Sequence, residues 1–211
     1  MPLDYLRDPA EIYRLSFETI EGEVDLSAHS AAMQRVAVRL IHACGMTGVV
    51  DDLAYSEGAA EAGVAALQNN CPVYCDVEMV KAGIIERNLP GASRLVCTLN
   101  DPRAGFHGKA AKNTRTASAV DLWDDLDGSI CVIGNAPTAL FRLLERLDEG
   151  AGLPALVVGL PVGFVGAVES KEELAKNPRG THFITVQGRR GGSAMASSVV
   201  NALAYLATGK S

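Results

Sequence analysis

The sequence predicts an α/β fold in which a parallel sheet lies between two layers of helices. Three observations carry this. Five short runs of β-branched and apolar residues recur along the chain, each run is continuously apolar rather than alternating, and stretches with helical periodicity separate them. Continuous runs are how strands buried on both faces read, because helical crossovers force neighbouring strands parallel and cover both sides of the sheet.

Taken in order, two extra helices open the chain. "EIYRLSFETI" (11–20) is an apolar helix interrupted by Ser16, and "SAHSAAMQRVAVRLIHACG" runs from about Ser27 to Gly45. "SEGAAEAGVAALQNN" follows, with Ser56 as its N-cap, and leads into the first strand, "CPVYC" (71–75). "RLVCTL" (94–99) is the second strand. "NTRTASAVDLWDDLDG" is helical up to Gly128 and precedes the third strand, "SICVIG" (129–134). "APTALFRLLERLDEG" starts near Pro137, an early-turn proline, and ends at Gly150. "ALVVGL" (155–160), the short helix "SKEELAKN", "HFITVQ" (182–187) and the long helix "GGSAMASSVVNALAYLATG" complete the alternation. The expected architecture is a flavodoxin-like three-layer sandwich with a five-stranded parallel sheet and extra N-terminal helices. With 211 residues and no internal repeat, low-complexity segment or linker, the chain is expected to form one domain over residues 1–211.

Composition narrows the function classes. A formal charge of −6 argues against a general nucleic-acid binder, which carries a basic stripe to neutralise phosphates. No stretch of about 18 apolar residues is free of charges, so no membrane span is expected. The opening "MPLDYLRDPAEIYR" lacks the basic and apolar regions of a secretory signal. Five cysteines, an odd set lying mostly in apolar segments, read as reduced thiols of a cytoplasmic protein. Cys71 and Cys75 are four apart, yet no further cysteine completes a zinc pattern. No histidine pair has the spacing of a zinc helix either, so no metal is expected.

In such sheets ligands bind beyond the carboxyl ends of the strands. Three glycine-rich loops stand there: "GNAPTA" (134–139), "LPVGFVGAVESK" (160–171) and "QGRRGGSAMA" (187–196). Each leads towards a helix N-terminus, which favours anions. The last has Arg189 and Arg190, with Ser193 as candidate N-cap. It lacks the spacing of a dinucleotide fingerprint and the lysine of a P-loop, leaving a carboxylate cradle or a plain solvated turn.

His42 draws the most interest. In its helix Met33, Val36, Ala37, Leu40, Ile41 and Cys44 form one apolar stripe, and His42 falls opposite it with Arg39 and Arg35 at i−3 and i−7. Two readings stay open: a solvated face, or a proton donor and acceptor beside anion-binding arginines. The guanidinium disfavours imidazolium and the helix carboxyl end favours it, leaving a pKa near the ordinary value of about 6.5. His29, in the first turns of the same helix, His107, in the "AGFHGKA" loop, and His182, opening a strand, read as structural or solvent-facing. In "KNTRTA", Asn113 or Thr114 caps a helix and leaves Arg115 in its first turn, where a bound anion would offset an unfavourable dipole. Ser16 has a bland alternative as a hydroxyl bonded to its own helix backbone.

Several segments together resemble the precorrin-8X methylmutases of cobalamin biosynthesis: "EIYRLSFETI", "RLIHACG", "CDVEMV", "CTLNDPR", "NTRTASA", "GNAPTALF", "GLPVGFVGAVESK" and "GRRGGSAMA". The likeness covers nearly the whole chain in the family's order. It implies a cytoplasmic isomerase that moves a methyl group from ring carbon 11 to ring carbon 12 of precorrin-8X, giving hydrogenobyrinate, without a redox cofactor. It also implies a homodimer with active-site clefts shared between subunits. Carried onto this chain, the catalytic histidine is His42, and Ser16, Arg39 and Arg115 contact the substrate. Arg189 and Ser193, from the glycine-rich loop, complete the expected binding set. The competing reading is a non-catalytic binder of an acidic tetrapyrrole.

Overall fold

The computed structural model describes residues 3–209. Its nine helices are α1 (Pro9–Glu23), α2 (Ala31–Cys44), α3 (Ala59–Gln68), α4 (Glu78–Gly83), α5 (Pro102–Ala111), α6 (Arg115–Val120), α7 (Pro137–Asp148), α8 (Ala167–Lys176) and α9 (Ser193–Thr208) among the described residues. The strands are β1 (Leu53–Tyr55), β2 (Val73–Cys75), β3 (Leu95–Val96), β4 (Ile130–Ile133), β5 (Leu156–Gly159) and β6 (His182–Val186). They form a single sheet in the order β1-β6-β5-β4-β2-β3.

All five expected strands are present and mutually parallel. Numbered among themselves, they follow the 2-1-3-4-5 order of flavodoxin-like sheets. The count of five and the all-parallel sheet are corrected by β1, which joins the edge antiparallel to β6 with Leu53 opposite Val186 and Tyr55 opposite Ile184. Its three residues are only half-buried, so they leave no apolar run to read.

Successive strand residues face opposite layers. Val73, Cys75, Ile130, Val132, Leu156 and Val158 join the core under α3, α4 and α9. Tyr74, Cys131, Ile133 and Val157 join the core on the other face with α7 and Trp123. α2 packs on α9 and α3, and α1 on α2.

Helix boundaries follow their caps. Ser30 accepts the Met33 N–H, so α2 starts at Ala31 rather than Ser27, and His29 sits in the preceding turn with Nδ1 2.6 Å from the Tyr55 hydroxyl. Gly45 ends α2 in the left-handed region at φ 67°. Asp101 accepts the Arg103 N–H and Pro102 opens α5, which turns the expected "AGFHGKA" loop, His107 included, into helix. Thr114 caps α6, which stops at Val120, far short of Gly128. Ser56 does not cap α3; its Oγ accepts the Phe183 N–H instead.

Candidate active site

The outer face of α2 carries His42, Arg39 and Arg35 opposite its buried residues, and α1 crosses that face. His42 and Arg35 are exposed, while Arg39 is half-buried. From α1, Tyr13, Ser16 and Phe17 reach the imidazole together, as i, i+3, i+4 neighbours must. Ser16 Oγ lies 2.8 Å from His42 Nδ1. The Phe17 ring stands edge-on at 5.3 Å between centroids, and the Tyr13 ring tilts by 32° at 5.5 Å. With Nδ1 engaged by a hydroxyl, Nε2 is the nitrogen left for a ligand.

Arg39 lies with its guanidinium 3.9 Å from the Tyr205 ring centroid and 5.5 Å from that of Phe17. Cation–π contact fixes the planar fork and leaves its N–H donors unspent. Among the described residues it makes no ion pair, unlike Arg14, Arg103, Arg142, Arg179 and Arg190. Partial desolvation beside the α1 rings, and then the Arg39 charge, pull His42 below its ordinary value of 6.5. His42 is thus lowered rather than left near its ordinary value, as the helical spacing alone had suggested.

His42 opens into a cavity of about 320 Å³. Tyr13, Arg39 and His42 form one side, and Gly83 and Ile85 face Ser197 and Asn201 of α9 on the other. The Asn201 amide fixes that far wall: its Oδ1 accepts the Ile85 N–H at 2.8 Å and its Nδ2 donates to the Gly83 carbonyl at 2.9 Å. A Cβ at position 83 would collide with Ser197 Oγ, so α4 and α9 approach this closely only through glycine. Sequence reasoning missed Tyr13, Gly83, Ser197 and Asn201. The one signal was Asn201, a lone amide in the apolar run "SSVVNALAYL".

Comparison with known proteins settles the family. A family model described as Precorrin-8X methylmutase matches residues 11–206. The chain belongs to the precorrin-8X methylmutase family. It is 54% identical over 203 residues to a Precorrin-8X methylmutase of Pseudomonas aeruginosa, covering 96% of this chain and 98% of the relative. A Precorrin-8X methylmutase of a Sinorhizobium species is 46% identical, with 95% and 96% covered. The solved structure of a precorrin-8X methyl mutase from Thermus thermophilus superposes with a TM-score of 0.83 at 33% identity, covering 94% of this chain and 98% of that one. Membership makes the protein an enzyme, an isomerase of cobalamin biosynthesis.

Within this methylmutase the remaining expected site residues are dispersed. Arg115, the first residue of α6, is exposed and lines a separate groove of about 570 Å³ with Pro102, Phe106 and Lys109. Arg189 is exposed, 5.4 Å from the ring of Phe164. Ser193 begins α9 but caps nothing, since Gly192 holds the cap position. Its Oγ is buried without a hydrogen-bond partner, and its neighbour Ala194 lines the His42 cavity.

The methylmutase loops at the strand ends are also less open to anions than their glycines suggest. The N–H groups of Gly134, Asn135 and Ala136 donate to the fully buried Asp76 carboxylate at 2.9–3.0 Å, so the "GNAPTA" loop is filled from within. Burial pushes the Asp76 carboxyl up and these donors pull against it. In the last loop the buried Lys171 Nζ donates to the Arg190 carbonyl at 2.7 Å, and burial pulls this amine down to about 8. Arg190 itself pairs with Asp52. Among the described residues no group of three or more His, Cys, Asp or Glu side chains converges as a metal site, and no helix is long and apolar enough to cross a membrane.

Proposed function

We propose that the protein, as one methylmutase domain over residues 1–211, moves a methyl group from ring carbon 11 to ring carbon 12 of precorrin-8X to give hydrogenobyrinate. The observation that carries this is His42, oriented by Ser16 and flanked by the unpaired Arg39, opening into a cavity. The migration is formally a sigmatropic shift: one carbon–carbon bond breaks, another forms, and no electrons are gained or lost. Protonating the conjugated ring makes it electron-poor and eases the shift. Double bonds relocate afterwards, so the same group must take the proton back. The lowered pKa makes the imidazolium a stronger proton donor and the neutral ring a correspondingly weaker base, so the donating form gains weight as the pH falls. His42 lends the proton through Nε2, Ser16 holds the ring in place, and Arg39 binds a peripheral carboxylate.

The enzyme acts in this reading as a cytoplasmic homodimer that shares its clefts. Two features support that. Arg115 and Arg189 stand apart from the His42 cavity within one chain, as residues donated across a shared cleft would. The α1 region also exposes Leu3, Tyr5, Leu6, Ile12 and Leu15 as apolar surface. A metal-free substrate is favoured by the names of the Pseudomonas and Sinorhizobium relatives.

Incubation with precorrin-8X under an absorption spectrometer tests the reading. Conversion to the hydrogenobyrinate spectrum is expected. Binding with no further spectral change would instead favour a non-catalytic tetrapyrrole binder.

A further inference from the structure

A second hollow of about 260 Å³ adjoins the His42 cavity along α2, and Arg39 lines both. Its walls are apolar, made by Phe17 and Val38 on one side and Ala202, Tyr205 and Leu206 on the other. Arg35 closes its far end. Like Arg39, Arg35 makes no ion pair or side-chain hydrogen bond among the described residues. Arg35 also lines a neighbouring hollow together with Glu21 and Asp25, and neither carboxylate is paired with it.

The spacing sets a scale. His42, Arg39 and Arg35 fall on one face, and seven residues of helix carry Arg35 about 10 Å along the axis from His42. A ring held against His42 with one acidic arm at Arg39 can send a neighbouring arm into the 260 Å³ hollow. The methylene stem of an acetate or propionate arm suits the apolar walls, and its carboxylate suits a guanidinium with free donors. In the neighbouring hollow the carboxylates of Glu21 and Asp25 repel a further anion, so the arm stops at Arg35.

We propose that Arg35 forms a second carboxylate subsite, which receives an acidic arm of the macrocycle whose reacting carbons lie at His42. This rests on the methylmutase reading above. Arg35 is a binding residue for the ring periphery and takes no part in the proton transfer. A peripheral arm is held alike before and during the methyl shift, so its loss raises KM much more than it lowers kcat.

The test measures hydrogenobyrinate affinity by absorbance titration at low and high salt for the wild type, Arg35→Ala, Arg35→Lys and Arg94→Ala. Arg94 is exposed at the amino end of β3, away from the hollow, and controls for loss of one positive charge. Arg35→Ala is expected to weaken binding about tenfold to a hundredfold at low salt, with a shallower salt dependence. Arg35→Lys recovers part of the loss and Arg94→Ala changes nothing. Affinity within about twofold of wild type in Arg35→Ala, or an equal loss in Arg94→Ala, overturns the subsite. The functional reading fails differently: a wild type that does not bind hydrogenobyrinate removes both, whereas tight binding without turnover of precorrin-8X removes catalysis and leaves the subsite standing.

Discussion

Ser16 and His42, on neighbouring helices and 26 positions apart, meet with 2.8 Å between Oγ and Nδ1. That contact turns an exposed imidazole into an oriented one. It also decides which ring nitrogen faces the cavity, so the local sequence of α1 bears directly on the chemistry assigned to α2.

Removing the hydroxyl tests this. Ser16→Ala deletes one hydrogen bond to a ring that is otherwise held only by Tyr13 and Phe17. Steady-state kinetics with precorrin-8X are expected to show kcat about five- to tenfold lower, with the thermal midpoint little changed. An unaltered kcat would mean that the aromatic rings alone orient the imidazole.

The titration of His42 should be displaced to the acid side. Burial and the Arg39 charge both disfavour imidazolium, so the proton NMR titration is expected to have its midpoint below 6.5. Arg39→Ala removes the second cause and should move the midpoint upward. The linkage has a definite sign: the unfolded imidazole takes up its proton first, so acidification below 6.5 disfavours the folded state at this residue. A midpoint at or above 6.5 contradicts the arrangement.

Gly83→Ala probes the far wall. The added methyl meets Ser197, with 2.8 Å to its Cβ, and overpacking of this kind costs about 1–3 kcal/mol. Urea denaturation should show the loss. Adding Ser197→Ala removes the hydroxyl and leaves the Cβ, so only part of the stability should return. Strictly additive effects would show that the two positions do not touch.

Asp76→Ala strips three N–H groups, two buried and one half-buried, of their acceptor at once. A loss of about 3 kcal/mol or more is expected by denaturant titration. Asp76→Asn keeps one acceptor oxygen and should lose less. A neutral Asp76→Ala would indicate that the loop finds other partners.

The five parallel strands were legible because each is a continuous apolar run, and their order agrees with the flavodoxin-like arrangement expected. The edge strand β1 was not, since three half-buried residues leave no periodic signature. α5 was hidden by the two glycines of "AGFHGKA", although Asp101 and Pro102 had marked its start. The pairing of His42 with Arg39 could be read from helical spacing. Its partner Ser16 was identified only through family resemblance, because nothing local says which face of α1 meets α2. The contact of Gly83 with Asn201 was out of reach for the same reason, although Asn201 stood out in its apolar run: it spans 118 positions and exists only once α4 and α9 are packed. The "GNAPTA" loop shows the opposite error. Its glycine and helix N-terminus look ready for a ligand, but a carboxylate from β2's end already occupies them.

The most direct measurement is turnover of precorrin-8X by His42→Ala beside its equilibrium binding of hydrogenobyrinate. The account predicts that conversion is abolished while the product still binds with near wild-type affinity. Conversion at the wild-type rate would contradict it, and the proton would have to come from another group.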